Sequence, residues 1–542
     1  MRACLTVCAL TVFHSCNLKK EDQRDHLVFR YNESANITSL DPAFARNQAN
    51  LWGVNQLFNG LVQMNDSLRI QPCIARSWEV GDSGRRYVFH LRSDVYFHKD
   101  PCFSADEHRR VNAQDFVYSF ERLRNPTLAA PGSWILKNLT SVAALDDSTL
   151  EIKLVRAFPP FLGLLSMKYA SVVPQEAVEF YGSEFRAHPV GTGPFSFKLW
   201  VENEKLVLRR NDQYFERDSA GNGLPYLEAV SVTFIPDKQA AFLEFIKGEL
   251  DLLSGLDASY KDELLTFEGE LQQKYRDRFN LYRQDYLNTE YLAFLVDSSK
   301  LDRNSPILDP RVRKAFNYGF NRVKMMKYLR NNIGRPANQG MIPAGLPSFS
   351  AGAAYGYQYN PEKAAALLAE AGYPRGEGLG EITLQTNSSY LDLCEFIQGE
   401  LATLGVALAV EVTPPSTLRQ AIATSRVGFF RASWIADYPD AENYLSLFYS
   451  GNHAPDGPNY THYTNNQFDS LYNASLAIEN DEQRQRLYRK MDSLVMTEAP
   501  VMPLYYDQVL RFYPKNVQGL GGNALNMLDL KTVKKKPGQS QD

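Results

Sequence analysis

The sequence predicts a mixed α/β protein of more than one domain, and three observations carry that reading. At 542 residues the chain is long enough for two or three domains, each with its own core. Its 44% hydrophobic and 12% aromatic content is that of a folded protein. Strand-like and helix-like stretches both recur along it. Tyr87-Val88-Phe89-His90-Leu91-Arg92 alternates apolar and polar residues as a half-buried strand does, and residues 111–120 read as a helix with Asn112 as N-cap.

The other elements follow in chain order. Met1-Arg2 precedes an apolar run, residues 3–13, too short to span a bilayer and of the length of an export-signal core. His14-Ser15-Cys16 and the polar tract after it resemble a bacterial lipoprotein signal, in degenerate form, in which Cys16 becomes the lipidated first residue. Residues 27–31 read as a strand and Asp41-Pro42 as a turn, while Leu51, Val54, Leu57, Phe58 and Leu61 recur at helical spacing. Residues 429–435 are short, apolar and aromatic-rich and lead to a Tyr438-Pro439-Asp440 turn, the pattern of a buried strand reaching a loop. Arg431 and Asp437 interrupt that stretch, and a charge buried there is costly unless something pairs with it. Either the two pair with each other, or a zwitterionic ligand supplies the missing charges.

Several function classes find no support. A net charge of -4 offers no basic stripe for nucleic acid. Gly-x-Ser-x-Gly, His-Glu-x-x-His, Cys-x-x-Cys and P-loop patterns are absent, and the eight histidines show no metal-ligand spacing. No catalytic residue, metal or cofactor is therefore expected. The enzymatic alternative, a glycosidase-like pair from Asp437 and Asp440, has no motif behind it. With the signal removed and Cys16 lipidated, Cys73, Cys102 and Cys394 remain; they form no disulfide framework, and whether Cys73 and Cys102 pair stays open.

Order and spacing then become recognisable. Phe58-Asn59-Gly60-Leu61-Val62, Pro72-Cys73-Ile74-Ala75-Arg76-Ser77-Trp78, the stretch 87–92 and the helix at 111–120 resemble the opening of the family 5 extracellular solute-binding proteins, the peptide-class receptors of ATP-driven importers. Val190-Gly191-Thr192-Gly193-Pro194-Phe195, Pro225-Tyr226-Leu227, Asp309-Pro310-Arg311, Asn360-Pro361-Glu362-Lys363-Ala364 and Ala499-Pro500-Val501-Met502-Pro503 continue the pattern, which covers nearly all of residues 27–530. The resemblance implies a bilobal periplasmic-binding-protein fold (type II, cluster C) with an extra subdomain on the first lobe. The implied division is a signal at 1–15, a tether at 16–27, the first lobe at 28–58, 186–288 and 505–532, the extra subdomain at 59–185, the second lobe at 289–504, and a solvated basic tail at 533–542. The glycines at 191–193 and the region of Asn288 are the expected hinge crossings, and residues 100–110 a surface insertion.

In oligopeptide receptors of the family, the phrase matched by residues 431–438 lines the ligand. The resemblance assigns the peptide α-ammonium to Asp437, the α-carboxylate of a short peptide to Arg431, and a flat apolar wall to Trp434. Arg330 matches a lysine used for longer peptides. Two positions depart from the pattern: Asp392 stands where enteric members have a histidine, and Arg46 where an acidic residue is usual. The implied protein is a monomeric, lipid-anchored receptor of the bacterial envelope, periplasmic or on the cell surface. It captures short peptides between closing lobes and delivers them to an ABC permease and ATPase. The alternatives are the same fold carrying an oligosaccharide, a metal chelate or haem, and a lipoprotein that has kept the fold without transport.

Overall fold

The computed structural model describes residues 27–103, 108–257 and 259–537. The expected signal, the lipidation residue Cys16, most of the tether, residues 104–107 of the expected insertion and the last five residues of the tail lie outside the described residues.

Three sheets organise the chain. In the first, strands Val28–Asn32, Ala229–Thr233, Lys205–Arg210 and Phe195–Val201 pair in that order. The first pair is parallel, so the N-terminal strand is tied to a segment two hundred positions on. Phe29, Tyr31, Leu206, Leu208, Val230 and Val232 are buried on it. Helix Gln48–Leu57 packs there and starts earlier than the spacing of its leucines suggests, because the Asn47 side chain caps it by accepting from Asn50 N–H. Gly191 and Gly193 lie flat against the end of this helix, where a side chain on either would collide with the Leu57 or Gln56 carbonyl. They are packing positions inside the first lobe, not the expected crossing.

The second sheet is antiparallel and joins Ala75–Gly81, Arg86–Leu91, Thr149–Leu154 and Leu139–Asp146. Helix Ala113–Arg124 lies beside it and opens with a reciprocal capping box between Asn112 and Asp115. Its core is continuous with that of the first sheet.

The third sheet has seven strands. At its centre two long strands, Phe279–Phe294 and Val501–Pro514, run antiparallel, paired over 279–285 and again over 289–293. One end of this ribbon packs among Phe245, Leu264 and Leu271. The other end enters a core with Phe316, Ile397 and Leu401. The ribbon is thus the double crossing between the lobes, and its pairing slips between Asp285 and Thr289. Strand Phe429–Ile435 pairs alongside residues 288–294, followed by Glu381–Thr386 and Ala407–Val412.

The tail corrects one expectation. Lys534–Lys535 pairs with Val517–Gln518, and Lys535 Nζ lies 2.9 Å from Asp251 Oδ2 in a buried ion pair. Lys535 is drawn in because Asp251 is buried and needs a cation, while Lys534 and Lys536 stay exposed. Cys73, Cys102 and Cys394 are free thiols. No helix among the described residues is long and apolar enough to cross a membrane.

Candidate functional site

A cavity of about 420 Å³ lies between the lobes. The first lobe contributes Arg46, Trp52, Asp66, Lys168, Tyr169 and the segment from Asn523 to Asp529. The other wall is Tyr286, at the slip in the crossing ribbon, with Ile435, Ala436 and Asp437 from the end of strand Phe429–Ile435. A larger and more open hollow of about 880 Å³ surrounds His98, His188 and Arg210, but one lobe alone forms it. Of these two hollows the first has walls from both lobes, as a ligand site between two hinged lobes requires, so it is the candidate site.

Asp437 stands where the strand has ended. Ala436 N–H is still held by the Leu287 carbonyl at 2.9 Å, and Asp437 N–H donates to Asn443 Oδ1 at 3.1 Å. Asn443 Nδ2 returns a long bond to Asp437 Oδ2 at 3.4 Å. Among the described residues no cation lies within 4 Å of the carboxylate. Its side chain is exposed to the cleft; the protein atoms crowded around it partly desolvate the carboxylate and raise its pKa, and Asn443 only partly offsets this. Trp434 donates from Nε1 to the same Asn443 Oδ1 at 2.8 Å, and its ring packs into the second-lobe core behind the site. It is therefore not the cavity wall that was expected; it fixes the amide that fixes Asp437. The flat walls are Tyr286, Trp52 and Tyr169, the last seated where any side chain at Gly132 would strike its ring.

The two arginines are also placed differently from expectation. Arg431 does not meet Asp437. It forms a buried ion pair with Glu290 and lies over the Tyr390 ring. The register explains the pairing: Arg431 faces Leu292 and Ser433 faces Glu290, so the charges are diagonal neighbours on adjacent strands. Burial pushes the Glu290 carboxyl up against the pull of Arg431. Arg330 bonds Asp507 at 2.6 Å and the Tyr505 hydroxyl at 3.0 Å. Both guanidinium groups thus have protein carboxylates, and neither lines the cavity. Asp392 opens helix Leu391–Ala402 as an exposed residue.

Residues 69–456 match the profile of the Bacterial extracellular solute-binding proteins, family 5 Middle. The chain belongs to this family. It is 25% identical over 492 residues to the Glutathione-binding protein GsiB of Salmonella typhimurium, covering 90% of each chain. It is 28% identical over 481 residues to Heme-binding protein A of Haemophilus influenzae, covering 83% of this chain and 81% of that one. Among solved structures, the ABC transporter-associated periplasmic binding protein DppA from Helicobacter pylori, in complex with peptide STSA, superposes with a TM-score of 0.76 at 25% identity, over 96% of this chain and 100% of that one. The type II periplasmic-binding-protein fold follows, and with it the role of extracytoplasmic solute receptor for an ABC importer.

This family 5 receptor also carries cavity cations that the sequence reading did not assign to the ligand. Arg46 and Lys168 both line the site, and among the described residues neither side chain has a hydrogen bond or an ion pair. Arg46 and Asp437 both act on the Tyr169 hydroxyl, whose pKa burial raises first, Asp437 raises further and Arg46 lowers. The two opposite charges therefore flank one ring without touching. Arg46 had a signal, its departure from the acidic residue of the family pattern; Lys168, in the turn Lys168–Ala170, had none.

Proposed function

We propose that this receptor captures short peptides by their two charged ends and delivers them to the permease and ATPase of its importer, held at the membrane by a lipid on Cys16. One observation carries the reading: Asp437, fixed by Asn443 and Trp434, is a cleft carboxylate without a protein cation. A peptide α-ammonium completes it with a charge-assisted hydrogen bond. Arg46, across Tyr169, takes the α-carboxylate in place of Arg431 and Arg330, whose charges Glu290 and Asp507 already match. Its guanidinium fork suits a carboxylate. Tyr286, Trp52 and Tyr169 cover the peptide between the lobes, and flexing at the slip in the crossing ribbon lets them close.

The cavity volume falls at the lower end of the ~300–1,000 Å³ of small-molecule sites, which suits a peptide of a few residues. The DppA structure holds a peptide in the same fold. No histidine or cysteine is among the described residues lining the cavity, which speaks against a metal chelate held by direct ligation. Native mass spectrometry of the purified protein, followed by release and sequencing of its cargo, tests the proposal. Short peptides with free amino termini are expected. A sugar, haem or a metal chelate as the sole cargo overturns it, as does failure of a peptide library to bind emptied protein.

A further inference from the structure

Resting on that reading of the cleft, we propose that its peptide carries a second carboxylate, received by Lys168. The lysine follows helix Phe161–Ser166 and lines the same cavity as Asp437 and Arg46. The first-lobe carboxylates that act on it, Glu216 and Asp529, are already bridged by Lys531, at 2.7 and 3.5 Å. Lys531 itself adds a repelling charge. Burial lowers the Lys168 pKa, the mark of a cation whose surroundings do not compensate it. Lys168 is only half-buried and faces the cavity, where water can reach its ammonium in the free protein. A neutral ligand that displaces this water leaves the charge bare, whereas a carboxylate at the same place pairs with it; the site therefore selects by penalty as well as by attraction.

The charges on the wall define the ligand class. Asp437 calls for one ammonium, and Arg46 and Lys168 call for two carboxylates. Asp66 and Asp529 also line the cavity, but protein cations already act on them: Lys531 lies 3.5 Å from Asp529, and Arg511 and Lys531 pull down an Asp66 pKa that burial and Asp529 raise. The cargo is thus an acidic peptide with a free amino terminus, its second carboxylate on a side chain.

The test is calorimetric titration of emptied full-length protein with alanine tripeptides bearing glutamate, glutamine or lysine at each position in turn. At one position glutamate should bind about tenfold more tightly than glutamine, the scale of one close charge pair, and lysine more weakly than both. Lys168→Gln should reduce the glutamate-to-glutamine ratio to near one, and Lys168→Glu should turn the preference towards lysine, with melting temperatures confirming that both variants fold. Equal binding of the glutamate and glutamine peptides at every position overturns the inference while leaving peptide binding intact. So does a preference for glutamate that survives Lys168→Gln, or tighter binding of lysine, which would assign the far end of the cleft to Asp66. If no peptide of any charge binds, it is the peptide reading that fails.

Discussion

Replacing Asp437 by asparagine removes one charge and little else. The side chain has a single long hydrogen bond, 3.4 Å from Asn443 Nδ2, and the backbone bond from its N–H to Asn443 Oδ1 does not depend on it. Folding stability should therefore change by no more than ~0.5 kcal/mol. Binding should change far more. A hydrogen bond to a charged group contributes about 1.5–3 kcal/mol, and truncating one partner of a desolvated charge pair costs about 2–5 kcal/mol. Because Asp437 still meets cleft water, the lower part of that range applies: about 2–4 kcal/mol, or roughly 30- to 1,000-fold in Kd. Calorimetry with a free and an N-acetylated peptide, on wild type and Asp437→Asn, separates the charge pair from the rest of the interaction. Acetylation should weaken wild type by about as much as the mutation does, and the two losses should not add. The pH dependence provides a second check. Burial raises the Asp437 carboxyl in the free protein, and the ligand ammonium favours its ionised form, so the complex binds fewer protons than the free receptor. Affinity should fall as pH is lowered through that raised pKa, and the variant should lack this slope. A variant Kd within about threefold of wild type, or acetylation losses that add fully to the mutation, would refute the assignment.

Three further outcomes follow from buried charges elsewhere. Glu290→Gln leaves Arg431 buried without its carboxylate and should destabilise the fold by about 3–5 kcal/mol, read by denaturant unfolding; an unchanged midpoint would mean that Arg431 finds another partner. Lys535→Met strands Asp251 in the same way and should cost about 3 kcal/mol, whereas a solvated tail would show no effect. Asp492 accepts Met341 N–H at 2.9 Å, and burial raises its pKa to about 7, above an unfolded value near 3.9. The folded state thus holds the proton that the unfolded chain has lost. This group's contribution declines as pH rises from about 4 to about 7, by at most ~4 kcal/mol, and Asp492→Asn should flatten that part of the stability profile.

Local features of the fold were legible because local physics decides them. The strand at 429–435 is mostly apolar and aromatic and stops at a turn, and it forms with those bounds. Asn112 sits where its side chain satisfies the first helical N–H groups, and it caps the helix as the sequence suggests; Asn360 caps another, which was not read in advance. Charge pairing was not legible in the same way. Arg431 and Glu290 are 141 residues apart, and Arg330 and Asp507 are 177 apart. A signal for the first pair does exist: Glu290 is the one acid in the apolar stretch from Leu287 to Val296, as Arg431 is the one base in its own strand. Two lone opposite charges in two buried strands call for each other once the strands are adjacent, but adjacency is set by the crossing ribbon rather than by either strand.

The same reasoning accounts for how the phrase at 431–438 works. Read as a line of residues, it offers three ligand contacts. Folded, it leaves one group, Asp437, free at the cavity wall and supports it twice. Trp434 holds Asn443, which holds Asp437. Arg431 cancels the charge of Glu290, so that both can remain buried in adjacent strands close to the cleft. A charge answered within the protein can no longer answer a ligand, while an unanswered one at a cavity wall gains most from a partner that arrives as water leaves. By that criterion Asp437, Arg46 and Lys168, drawn from both lobes, are the groups proposed to read the ligand. On the proposed reading each lobe holds only part of the complement, so neither would satisfy a peptide alone, and closure would be favoured only when the ligand spans both.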